Sequence, residues 1–136
     1  MLGVNDIVIT GIGCVTPIGI GRAALWQSLA GQVCGVKRVL VTGGPDPIAY
    51  AGAAVDDFDA RQYVTPRKAI KIMGREVHLA YAAAHIAWRD AGLDQATLDP
   101  DRVGVVFGSE MMLGDYEAIL DSVRACSTAG TMDFSM

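Results

Sequence analysis

Residues 7–19, IVITGIGCVTPIG, constrain the fold more than any other part of the chain. Residues 7–10 are all β-branched, which is typical of a strand buried on both faces in a parallel sheet. Two glycines then permit a sharp turn, and Pro17, which has no N–H to donate, cannot continue a sheet ladder. The pattern next changes to a helical period over residues 22–30, and Gly31 is a natural helix stop. A strand, a glycine turn and a helix in this order predict an α/β fold with a βαβ beginning.

The composition narrows the class of protein. The 136 residues are enough for one domain, and 51% of them are hydrophobic while only 19% are charged. That is apolar for a free-standing domain, so either a large face packs against another subunit or the chain belongs to something larger. The net charge of −4, without a Lys/Arg cluster, argues against nucleic acid as a partner. No apolar run reaches the roughly 18 residues of a membrane span, and the start does not resemble a signal peptide.

The cysteines predict a reduced protein. Cys14, Cys34 and Cys126 are odd in number and lack C-x-x-C spacing, which indicates neither a zinc site nor a disulfide framework. We therefore expect a cytoplasmic protein without a bound metal.

Two further stretches carry strong secondary-structure signals. Thr65 and Pro66 suit a helix cap and a first helical position, and the helical signal runs to Ala91 with an interruption at Gly74. Residues 103–107 predict a second strand of the buried type. Weaker signals predict short strands at 39–41 and 50–55, a loop or single helical turn at 59–64, and a helix at 115–125.

The long helix has two predicted faces. Its apolar face comprises Val77, Ala80, Tyr81, Ala84, Trp88 and Ala91, and the opposite stripe comprises Lys71, Arg75, His78, Ala82, His85 and Arg89. The first helix should likewise bury Leu25, Trp26, Leu29 and Ala30. Alanines at 80, 82, 83, 84, 87 and 91 would let a neighbouring element approach closely. His78 and His85 lie about 10 Å apart along the axis, too far to share one metal comfortably, so we expect ordinary satisfied histidines.

Some features admit a chemical interpretation. Gly11-Ile12-Gly13 looks like the start of a dinucleotide fingerprint, but Thr16 stands where the third glycine belongs, which favours a structural turn. Asp56, Asp57 and Asp59 could be metal ligands, although acids in a loop are commonly solvated. Met111-Met112-Leu113 follows the second predicted strand and could line an acyl pocket or serve as packing.

Cys126 could be a nucleophile because small residues surround it. It lies, however, at the end of a predicted helix, where the helix dipole disfavours a thiolate. A structural thiol is the better interpretation.

Residues 7–19 closely resemble the opening strand and turn of the β-ketoacyl-acyl carrier protein synthases. Further segments match that family in its order and spacing: ALWQSLAG (24–31), RK (67–68), LAYAAA (79–84), DAGL (90–93) and DRVGVVFGS (101–109). The resemblance covers residues 7 to about 114, and nothing recognisable follows in the tail at 115–136. It implies a thiolase-like layered fold, with residues 1–136 as an N-terminal fragment of the synthase domain, an incomplete first portion of its N-terminal half.

The resemblance also implies a chemistry. Such synthases perform a decarboxylative Claisen condensation between an acyl thioester and malonyl-carrier protein in fatty acid or polyketide synthesis. Their nucleophilic cysteine sits in an Ala-Cys-Ser-Ser context after a later strand, and one histidine sits in a His-Gly-Thr segment. Neither string occurs here, so we expect no catalytic residue and no activity from this chain alone. Ala125-Cys126-Ser127 imitates the cysteine string, but it follows a helix-like segment instead of a strand.

One site residue carries over from the resemblance. Two positions after the Gly108-Ser109 turn, synthases of this kind place a residue of the acyl pocket near the dimer interface, and that position here is Met111. The implied partners are acyl carrier protein and an acyl thioester, with no cofactor. Open strand edges would favour a homodimer or other self-association. Two alternatives stay open: a noncatalytic partner subunit related to chain-length factors, and a nucleotide-binding reductase.

Overall fold

The computed structural model describes residues 6–41, 47–94, 96–109, 116–128 and 131–132. Over these ranges the chain forms four α-helices and three two-stranded antiparallel sheets. In chain order the elements are β1 (Val15–Thr16), β2 (Gly19–Ile20), α1 (Arg22–Ala30), β3 (Lys37–Val41), β4 (Ile48–Gly52), α2 (Arg67–Ile70), α3 (Arg75–Asp90), α4 (Tyr116–Cys126), β5 (Ser127–Thr128) and β6 (Thr131–Met132). None of these helices is long and apolar enough to cross a membrane.

Helix α1 has the bounds that the sequence predicts. Gly21 precedes it with φ of 84°, a backbone conformation that glycine adopts without strain. At the other end, the Gly31 N–H donates to the Gln27 carbonyl at 2.9 Å. Gly21 and Gly31 therefore set the two ends of this helix.

The long helical signal splits into two helices. Helix α2 has Pro66 at its N-cap, and no side chain caps it, so the predicted cap by Thr65 is wrong. Pro66 is the N-cap residue with extended backbone angles, so it lies outside the helix rather than in its first turn. The interruption predicted at Gly74 is confirmed, because α3 begins immediately after it. Gly92, with φ of 65°, follows the end of α3 as predicted.

Strands β3 and β4 form a hairpin, in which Lys37 pairs with Gly52 and Val41 pairs with Ile48. The first strand includes the predicted run at 39–41, whereas the second begins and ends earlier than the predicted 50–55.

The single helical turn that the sequence predicts at 59–64 is a 3₁₀ turn over Ala60–Gln62. The Asp59 carboxylate caps it by accepting a hydrogen bond from the Arg61 N–H. Beyond it, α4 confirms the predicted helix, and β5 and β6 pair in the tail.

The prediction of buried strands at residues 7–10 and 103–107 is wrong. Residues 7–10 and 103–107 have no ladder partner within the described ranges, and their side chains are exposed. Ile7 is 100% exposed and Val106 is 95% exposed. A strand exists only where another chain segment completes its hydrogen bonds, and β propensity alone cannot supply that partner.

The core of the described residues is small. Its buried apolar side chains are Ala60, Val64 and Ala82, and around them Phe58 stacks on Tyr63 with ring centroids 5.8 Å apart. Ala82 is fully buried although it belongs to the predicted polar stripe of α3, while Tyr81 of the predicted apolar face is exposed. At these two positions the burial of α3 therefore differs from what its hydrophobic pattern favours.

Candidate functional site

The opening segment, here residues 11–13, lies directly against the backbone of α3. An ideal Cβ at Gly13 would stand 1.9 Å from the Ala83 carbonyl oxygen, and one at Gly11 would stand 2.3 Å from the Ala87 carbonyl oxygen. Only hydrogen fits at either position. The prediction that alanines on this helix permit close approach is confirmed at Ala83, Ala87 and Ala91, whose atoms lie within 3 Å of where a Cβ on Gly11 or Gly13 would stand.

Asp90 joins three parts of the chain at the end of α3. Its Oδ2 accepts a hydrogen bond from the Ile12 N–H at 3.0 Å, and its Oδ1 pairs with Arg22 Nη2 at 3.0 Å. The opening segment, α1 and α3 thus meet at one carboxylate. A carboxylate in the last turn of a helix is disfavoured by the helix dipole, so these two donors offset an unfavourable position.

An apolar groove of about 610 Å³ lies beside this contact. It is lined by Ile12, Cys14, Arg22, Ala23, Leu25, Trp26 and Leu29. The prediction that α1 buries its apolar side chains is wrong within the described residues, since Trp26 is 70% exposed and Leu29 is 54% exposed. These side chains form an open groove wall instead.

The glycine turn departs from a dinucleotide site. In the Rossmann arrangement the helix begins directly after the glycines, and its N-terminus holds the pyrophosphate. Here the β1–β2 hairpin stands between Gly13 and α1, closed by the Gly21 N–H donating to the Cys14 carbonyl at 2.8 Å. The geometry matches the structural turn that the sequence favours.

A second cavity, of about 480 Å³, lies between the β1–β2 turn and the segment after β4. At its edge the Lys37 ammonium donates to the Asp56 carboxylate, and this hydrogen bond raises the pKa of Lys37. Asp59 pairs with Arg61 at 2.8 Å, and that hydrogen bond lowers the pKa of Asp59. Two of the three acids considered as metal ligands are therefore engaged in exposed ion pairs.

Both histidines make packing contacts. His78 Nε2 lies 3.1 Å from the Ile70 carbonyl oxygen, a hydrogen bond between α3 and α2. The His85 ring meets Tyr63 edge-on, with centroids 6.0 Å apart. Both side chains are half-buried, as expected for satisfied histidines.

Comparison with known families identifies the family to which the chain belongs. The family model described as "Beta-ketoacyl synthase, N-terminal domain" matches residues 4–133. The chain belongs to the β-ketoacyl synthase family. The resemblance seen in the sequence is confirmed, and the match extends into the tail beyond residue 114.

Curated relatives include 3-oxoacyl-acyl-carrier-protein synthases and polyketide ketoacyl synthases. A 3-oxoacyl-acyl-carrier-protein synthase 2 from Synechocystis is 35% identical over 118 residues, covering 84% of this chain and 28% of the relative. The tetracenomycin polyketide synthase ketoacyl synthase alpha subunit of Streptomyces glaucescens is 38% identical over 105 residues, covering 76% of this chain and 24% of the relative. The chain thus spans about a quarter of the length of the relatives it matches. No solved structure matches it.

The remaining residues singled out in this synthase chain are the cysteines and Met111. Cys126 is the last residue of α4 and is half-buried, Cys14 lines the apolar groove, and Cys34 is exposed. All three are free thiols. Met111, the predicted acyl-pocket residue, lies outside the described residues.

Asp90 is the residue that pattern analysis missed in this synthase segment. In the sequence it belongs to the DAGL string at 90–93, which carries the family resemblance but predicts no contact for the side chain. Its position at the C-terminal end of a helix was an available signal, because a carboxylate there needs a donor to offset the helix dipole.

Proposed function

We propose that this chain is the N-terminal part of a condensing enzyme that joins an acyl thioester to malonyl-carrier protein in fatty acid or polyketide synthesis. The family match over residues 4–133 is the observation that supports the proposal. Relatives named as 3-oxoacyl-acyl-carrier-protein synthase and as polyketide ketoacyl synthase add to it. The complete enzyme has a thiolase-like layered fold, in which this chain begins the first half.

The reaction comprises transfer of the acyl group to the enzyme, decarboxylation of the malonyl group, and condensation. A cysteine thiolate attacks the acyl thioester, and the carrier's thiolate leaves as the acyl-enzyme forms. Loss of CO₂ from malonyl-carrier protein then leaves its electron pair on the α-carbon, which attacks the acyl-enzyme carbonyl. The new carbon–carbon bond forms as the cysteine thiolate leaves, and donors aimed at the carbonyl oxygens stabilise the charge that develops there.

This chain supplies scaffold, not the nucleophile. Cys126 is the last residue of α4, where the helix dipole disfavours a thiolate. His78 and His85 are engaged in contacts with α2 and with Tyr63, which leaves them poorly placed for acid–base work. The 136 residues alone therefore do not condense acyl thioesters.

The enzyme's partners and setting follow from the same proposal. Acyl carrier protein delivers both substrates, and the synthase works as a homodimer, with Met111 in the acyl pocket. The three free thiols suit the reducing cytoplasm.

The direct test is a condensation assay. The full-length synthase that contains this chain should convert acyl and malonyl-carrier protein into 3-oxoacyl-carrier protein with release of CO₂, whereas the 136-residue chain should give none. Turnover by the short chain would contradict the scaffold role. A full-length protein that binds both carrier proteins but neither forms an acyl-enzyme nor releases CO₂ would instead indicate a noncatalytic subunit.

A further inference from the structure

We draw no further inference here: the strongest candidate, the exposed basic surface formed by Arg67 and Lys68 of α2 and Lys71 at its C-cap, fits a negatively charged partner, but nothing in the described residues shows what covers it.

Discussion

Asp90 and Arg22, 68 positions apart in the sequence, form an ion pair with Oδ1 and Nη2 3.0 Å apart. The same carboxylate accepts the Ile12 N–H, so one side chain holds the opening segment and α1 against the end of α3. The Asp90 side chain is 26% exposed and that of Arg22 is 67% exposed, so the backbone hydrogen bond contributes more than the solvent-screened ion pair.

Replacement of Asp90 should separate these two contributions. We expect Asp90→Ala to lower the free energy of unfolding by about 1–2 kcal/mol, because it removes both contacts. Asp90→Asn keeps an acceptor for the Ile12 N–H and should cost about half as much. Urea unfolding followed by circular dichroism measures both. The control is Asp121→Asn, which breaks an exposed pair with Arg124 within α4 and should change little. Equal losses for Asp90→Ala and Asp121→Asn would refute the role of Asp90.

Gly13 should tolerate no side chain. Gly13→Ala places a methyl group within the contact distance of the Ala83 carbonyl and the Ala87 nitrogen, and both are backbone atoms of α3. The helix must shift, at a cost of roughly 3 kcal/mol in the free energy of unfolding.

The matched control for this clash is Gly104→Ala. A Cβ at Gly104 meets nothing within 4 Å, and the same substitution there should stay within about 0.5 kcal/mol of the unaltered chain. Thermal unfolding of the two variants side by side gives the comparison. Similar midpoints would mean that the opening segment does not lie on α3 as described.

The Asp59–Arg61 pair should make stability depend on acid pH. The Arg61 hydrogen bond holds the pKa of Asp59 below its ordinary value of 3.8. A lowered folded-state pKa contributes stability that is present above 3.8 and is lost as the pH falls through the folded value. Urea midpoints measured from pH 6 downward should therefore fall less steeply below this value in Asp59→Asn than in the unaltered chain. An unchanged slope in Asp59→Asn would contradict the role of the pair.

Met111 should influence acyl-chain preference in the full-length synthase. Met111→Ala enlarges the proposed pocket and should shift the ratio of kcat/KM values toward longer acyl thioesters, whereas Met111→Phe should shift it toward shorter ones. A change of roughly tenfold between substrates that differ by two carbons is expected. Met73→Ala makes the same substitution at a half-buried position between α2 and α3 and should leave the ratio unchanged. If the Met111 variants leave this ratio of kcat/KM values unchanged, Met111 does not line the acyl pocket.

The sequence predicted those features whose causes are local. The bounds of α1 follow from Gly21 and Gly31, and the break before α3 follows from Gly74. The alanines of α3 predicted the close approach of some neighbouring element, because small side chains permit it; the structure identifies that element as the segment with Gly11 and Gly13.

Features that depend on distant partners were not predictable. Residues 7–10 carry a strong strand signal, but a strand forms only where another segment completes its ladder. The buried face of α3 was predicted from its hydrophobic pattern, whereas the burial of Ala82 depends on tertiary packing that this pattern does not encode. The Asp90 contacts span 68 and 78 positions, far beyond any spacing rule for a single helix.

Acyl labelling tests the central claim, that this chain is a scaffold portion of a β-ketoacyl synthase whose nucleophile lies elsewhere. The full-length enzyme and the 136-residue chain would each be incubated with a long-chain acyl thioester, followed by intact mass and peptide mapping. Iodoacetamide labelling in parallel reports which thiols are accessible. We predict an acyl group on a cysteine of the full-length enzyme outside residues 1–136, and no adduct on the short chain. An acyl adduct mapped to Cys126 in either protein would contradict the account and place the reaction within these residues.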